Sequence, residues 1–211
     1  IGECGILRGL SCDDCPDYEE KLAWTCANIH LGKEVLWEAL IEFPSIQFGV
    51  EMVFQSLDSE TPFLLFPSDF TEGRKSIPIN GLIWMGSPEF MLKQIEEKLA
   101  EGYTCLKLKI GAIDFQQELD IIKSIRKRFT AEEITLRVDA NGAFSIKEAP
   151  YKLSQLAKFG IHSIEQPIRA GQWEKMAHLC RQEIIPIALD EELIGIRDRK
   201  EKINLLESIG P

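Results

Sequence analysis

From residue 77 onward the chain repeats one rhythm five times: a short apolar run of strand length, then an amphipathic stretch of helix length. The runs fall at residues 79–84, 105–110, 134–139, 163–165 and 186–190, and the helical stretches end near residues 100, 129, 159, 180 and 208. Ser87-Pro88, a capping residue followed by proline where a helix can spare an N–H, marks the first helix start. A βαβα alternation of near-uniform period specifies a parallel sheet, because each helix carries the chain back to begin the next strand at the same end. Residues 1–75 lack this rhythm. Residues 1–7 read as the end of a strand, 9–16 as a loop rich in Gly, Ser, Asp and Cys, and 18–31, 35–42 and 45–57 as helices. Phe48, Met52 and Phe54 are expected to share a buried face on the last of these. Two regions follow: 1–75, mixed α and β, and 76–211, five βα units.

Four polar motifs punctuate the strand ends: KLKIG from Lys107, RVDANG from Arg137, IEQP from Ile164 and LDEE from Leu189. They place Lys109, Asp139, Glu165 and Asp190 at separations of 30, 26 and 25 positions, roughly one βα unit each. An open doubly wound sheet gathers ligand groups at one switch point. Four consecutive strands that each end in a polar residue suit the mouth of a barrel instead. Five units do not close an eight-stranded barrel, so about three more units are expected beyond Pro211.

Side chains alternate along a strand, so Lys107 and Lys109 share the interior face while Leu106, Leu108 and Ile110 face the covering helices. Two desolvated ammonium groups this close disfavour each other's charge, which makes one of them a candidate base near neutral pH. A solvent-facing edge strand is the competing reading, and helix-covered parallel strands disfavour it. Asp139, Glu165 and Asp190 would repel one another in a shared interior without a cation, and all-oxygen ligands select a hard ion such as Mg²⁺. Taken singly, Asp190 would be a helix cap and Asp139 a turn former with Asn141-Gly142. Arg137 is expected to neutralise the carboxylates from below, Asn141 to orient Asp139 or touch substrate, and Glu191 to be structural.

A net charge of −10 over 211 residues argues against nucleic-acid or anionic-membrane partners. No apolar run approaches the roughly 20 residues that span a bilayer. A soluble, cytoplasmic protein acting on a small molecule is expected, with homo-oligomerisation open; because the chain begins at Ile1, a preceding leader also stays open. Of the six cysteines, Cys12 and Cys15 form a CxxC, but no second close pair completes a zinc site. Reduced thiols are expected, with Cys105 buried in a strand.

KxK, DANG, EQP and DE, in this order and spacing, resemble the enolase superfamily, muconate-lactonizing subgroup. Within it the chain is most similar to the o-succinylbenzoate synthases, judged by GECGILRGLS near the start and ALDEELIG near the end. The resemblance implies an α/β fold: a (β/α)-barrel, incomplete in this chain, with 1–75 as part of an α+β capping domain and 76–211 as the first five barrel units. It implies that Asp139, Glu165 and Asp190 hold Mg²⁺, that Lys109 is the general base, and that Lys107 tunes it and helps hold the substrate carboxylate. The implied reaction is dehydration of 2-succinyl-6-hydroxy-2,4-cyclohexadiene-1-carboxylate in menaquinone biosynthesis, with loop 9–16 covering the mouth. A second catalytic lysine is implied on a sixth strand, beyond Pro211. N-acylamino-acid racemase, dipeptide epimerase and muconate cycloisomerase share the same half-reaction and stay open. A non-catalytic metal-binding scaffold would require a lost ligand or base, and none is lost among these motifs.

Overall fold

Residues 1–61 and 63–211 are described by a computed structural model, in which the chain divides into units Ile1–Ile77 and Pro78–Pro211. The first unit is helical: α1 (Tyr18–Ala27), a 3₁₀ turn (Ile29–Leu31), α2 (Lys33–Ala39) and α3 (Pro44–Asp58). Its core is Tyr18, Leu36, Leu40, Phe43, Ile46 and Val50. Ile46 and Val50 lie one helical turn apart, which turns position 48 to the opposite face. Phe48 is accordingly exposed, against expectation, while Phe54 packs on the core. Residues 1–7 do not form the expected strand. They lie against α3 so closely that a Cβ on Gly2 would fall 2.0 Å from the Gly49 carbonyl oxygen, and the Cys4 carbonyl accepts from Tyr18 Oη. Loop 9–16 is pinned to the start of α3 by buried Asp13, whose Oδ2 accepts from the Ser45 amide and hydroxyl at 2.9 and 2.7 Å.

The second unit carries five strands and the helices between them. These are β1 (Gly81–Ile83), α4 (Pro88–Ala100), β2 (Cys105–Lys109), α5 (Phe115–Arg126), β3 (Thr135–Asp139), α6 (Ala149–Ala157), β4 (Ser163–Glu165), α7 (Trp173–Cys180), β5 (Ile187–Ala188) and α8 (Arg199–Ile209). The sheet is parallel throughout, in the order β1-β2-β3-β4-β5. Leu106, Leu108, Ile110, Leu136, Val138 and Ile164 are buried in the main core with Ile122, Leu153 and Met176. These sheet residues therefore bury the face opposite the lysines, as alternation requires. Cys105 is only half-buried, because it begins its strand, and all six cysteines are free. No helix among the described residues is long and apolar enough to cross a membrane.

Candidate active site

Strand register assembles the polar residues. Lys109 pairs with Asp139, and Asp139 with Glu165, so three successive strands bring them to one row at their C-terminal ends. One step down, Lys107 pairs with Arg137. Asp139 is wholly buried, and its Oδ2 accepts from Lys109 Nζ at 2.6 Å and from Lys107 Nζ at 3.1 Å. Its Oδ1 accepts from the Asn141 amide at 3.1 Å. Lys107 Nζ also reaches Glu165 Oε2 at 2.6 Å and so bridges two neighbouring strand ends.

The electrostatics follow from these contacts. Burial pushes Asp139 up, but the two lysines and the Asn141 amide together hold it below the ordinary carboxylate range. Burial pushes Lys107 down, and its contacts with Glu165 and Asp139 outweigh that, holding the ammonium above its ordinary value. The expectation that the lysine pair lowers its own charge state thus fails for Lys107. Carboxylates lie closer to it than the second ammonium's repulsion can offset. Arg137 does not neutralise the carboxylates either. It is exposed and makes no ion pair among the described residues, and Lys107 takes that part.

Asp190 stands apart. The last paired residue of β5 is Ala188, in register with Glu165, so Asp190 follows the strand's end. Among the described residues only its backbone is tied, its amide donating to Gln166 Oε1 at 3.2 Å. Among the described residues no three His, Cys, Asp or Glu are close enough together to hold a metal ion. The chemistry of the expected donors suits a hard divalent cation: two carboxylates at strand ends and a third two residues past β5, with no sulfur or imidazole.

Four contributors escaped the sequence reading. Asn141 Oδ1 accepts from Lys109 Nζ at 2.9 Å while its Nδ2 donates to Glu191 Oε1 at 2.9 Å. Glu191, expected to be merely structural, is therefore joined to the candidate base through one side chain. Trp84, at the end of β1, places its ring centroid 5.9 Å from Lys109 Nζ. Gln166 is fully buried, and its Oε1 accepts from the Asp190 and Glu192 amides at 3.2 and 3.4 Å. Buried Glu192 accepts in turn from the Gly171 amide at 2.9 Å. Asn141 and Gln166 both adopt positive φ, 44° and 40°. Asparagine tolerates that region and glutamine seldom does, so the backbone strain sits at Gln166, directly after Glu165.

Residues 91–205 match the family model described as enolase C-terminal domain-like. An o-succinylbenzoate synthase from Desulfotalea psychrophila is 53% identical over 169 residues, covering 80% of this chain and 46% of that protein. The chain thus spans about half the length of that relative. A crystal structure of MenC from Desulfotalea psychrophila LSv54 superposes with a TM-score of 0.79 at 39% identity, covering 100% of this chain and 67% of that one. The o-succinylbenzoate synthase from Thermosynechococcus elongatus BP-1, solved with Mg in the active site, gives a TM-score of 0.69 at 26% identity, covering 90% and 56%.

Proposed function

The chain belongs to the enolase C-terminal domain-like family, and from that premise we propose that it carries the base-bearing wall of an o-succinylbenzoate synthase active in menaquinone biosynthesis. The observation that carries this reading is the row Lys109, Asp139, Glu165 on three adjacent strand ends, with Lys109 Nζ held by Asp139 and Asn141. The 53% identity to a synthase favours this reaction over racemisation or cycloisomerisation on the same kind of site.

In this reading Asp139, Glu165 and Asp190 would hold Mg²⁺, which would supply positive charge against the negative charge that develops on the substrate carboxylate. Lys109 Nζ takes the proton α to that carboxylate. The C–H electron pair becomes a ring double bond, the C–O bond to the neighbouring hydroxyl breaks, and the hydroxyl leaves as water with a proton from an acid. The ring is then aromatic. Lys107, held cationic between Asp139 and Glu165, keeps those carboxylates in place and adds positive charge toward the substrate carboxylate. Asn141 fixes the direction of Nζ and passes that constraint to Glu191. Residues 1–75 serve as part of a capping domain.

The full-length protein is expected to dehydrate 2-succinyl-6-hydroxy-2,4-cyclohexadiene-1-carboxylate only with Mg²⁺, losing activity in EDTA and regaining it on Mg²⁺ addition. Lys109→Ala should lower kcat by about 100-fold or more, the scale of a general base. Near-native dehydration by Lys109→Ala would sink the base assignment. Turnover of an N-acylamino acid in place of the cyclohexadiene would move the chain to the racemases.

A further inference from the structure

Lys109 is also braced from behind. Glu118, in the first turns of α5, is 2% exposed. Its Oε1 accepts from the Gly111 amide at 2.6 Å, while Oε2 is buried with no hydrogen-bond partner among the described residues. Burial pushes this carboxyl above its ordinary range, and the Gly111, Ile113 and Ala112 amides with the Lys152 charge only partly oppose that. A carboxyl buried with a spare oxygen is costly to keep, so the contact its other oxygen makes carries the interest.

What it grips explains the placement. Gly111 follows Lys109 by two residues at φ 95°, and a Cβ there would fall 2.4 Å from Ala143 Cβ and 3.4 Å from the Ala140 carbonyl oxygen. Ala140 and Ala143 flank Asn141-Gly142, so the loop after β2 is seated directly on the loop that holds Lys109 Nζ. The same corner is closed by Lys152 of α6. Its Nζ lies 4.6 Å from the Phe144 ring centroid and 5.3 Å from that of Phe115, and the two rings meet edge-on at 6.0 Å.

We propose that Glu118 is a positioning residue for Lys109. By holding the Gly111 amide it seats the loop after β2 against the Asn141 loop, and so keeps Nζ between Asp139 and Asn141. The catalytic consequence rests on Lys109 being the base; the positioning does not.

Both can be read separately by nuclear magnetic resonance and by kinetics on the same protein. Glu118→Ala is expected to speed exchange of the Gly111 amide by about 10-fold, the mark of local opening. It should shift or broaden the Lys109 ¹³Cε resonance and lower kcat about 10- to 100-fold with KM nearly unchanged. Glu118→Gln keeps an acceptor for Gly111 and should restore the Lys109 resonance and most of kcat. Glu118→Leu, which fills the volume without an acceptor, carries the test should the alanine variant fail to fold. A Lys109 resonance unmoved in Glu118→Ala or Glu118→Leu, with Gly111 exchange raised, overturns the proposal. If that resonance moves while Lys109→Ala still dehydrates at full rate, positioning stands and the base assignment falls.

Discussion

At the scale of single residues, the site is a set of groups that would be unstable apart and are stable together. Glu118 also gives a signed pH dependence. Its folded value is raised by burial, so the folded chain binds a proton at higher pH than the unfolded chain does. The associated stability is present below the unfolded value and is lost as pH rises through the folded one. Compared with Glu118→Gln, the native protein should therefore lose stability as pH climbs through that window and level off above it. Denaturant midpoints across pH check this, and a flat difference would mean that Glu118 titrates alike in both states. Gln166→Ala removes the acceptor for the Asp190 and Glu192 amides and is expected to cost about 1–3 kcal/mol, the penalty of stranded buried donors, read by urea unfolding.

The row of Lys109, Asp139 and Glu165 was legible because strand alternation and a fixed βα period act within a few residues of each position. Glu191, Trp84, Gln166 and Glu118 were not, because what they do is set by partners brought close by folding. Glu191 meets Asn141 across 50 positions of chain, and although each lies in a motif, no local pattern pairs the two.

At the scale of elements, caps decide where helices begin. Ser87 accepts from the Phe90 amide at the start of α4, as its sequence signature requires. Asp114 accepts from the Gln116 and Gln117 amides at the start of α5, the helix that carries Glu118. Asp114→Ala is expected to cost about 1 kcal/mol, seen as a lowered Tm. Because α5 presents Glu118, exchange at Gly111 should rise in the same variant. The expected helix from 146 begins instead at Ala149; just ahead of it the Ser145 hydroxyl accepts from the Glu148 amide and donates to the Glu148 carboxylate. The run 186–190 shrinks to Ile187–Ala188 because only those residues stand in register with β4. Apolar run length bounds a strand, but pairing defines it, and that is why Asp190 was expected within the row and stands beyond it.

At the scale of the whole molecule, two separate cores carry the fold. Leu40 belongs to the first and Leu153 to the second, both fully buried. Each Leu→Ala change should cost about 2–5 kcal/mol, the usual range for a buried leucine. Hydrogen exchange is expected to show the loss of protection confined to the unit that holds the mutation. Loss at Leu153 in the Leu40→Ala protein would show that the two cores unfold as one. The alternation from residue 77 made the second core legible, since a parallel sheet leaves few choices for its faces. The first core has no such repeat, and its packing hangs on single contacts such as Gly2 against Gly49.

The sheet order has one more consequence. From β2 to β5, each strand pairs with the one made just before it. Synthesis proceeds from the N-terminus, and short sequence separation keeps the entropic cost of each pairing low. The sheet can therefore be laid down in the order in which the ribosome releases it, each new strand docking on an edge already formed. On such a path the row of charges is assembled one neighbour at a time. Lys107 and Lys109 emerge before Asp139, and Asp139 before Glu165, so no carboxylate of that row is buried before its counter-charge is there to meet it.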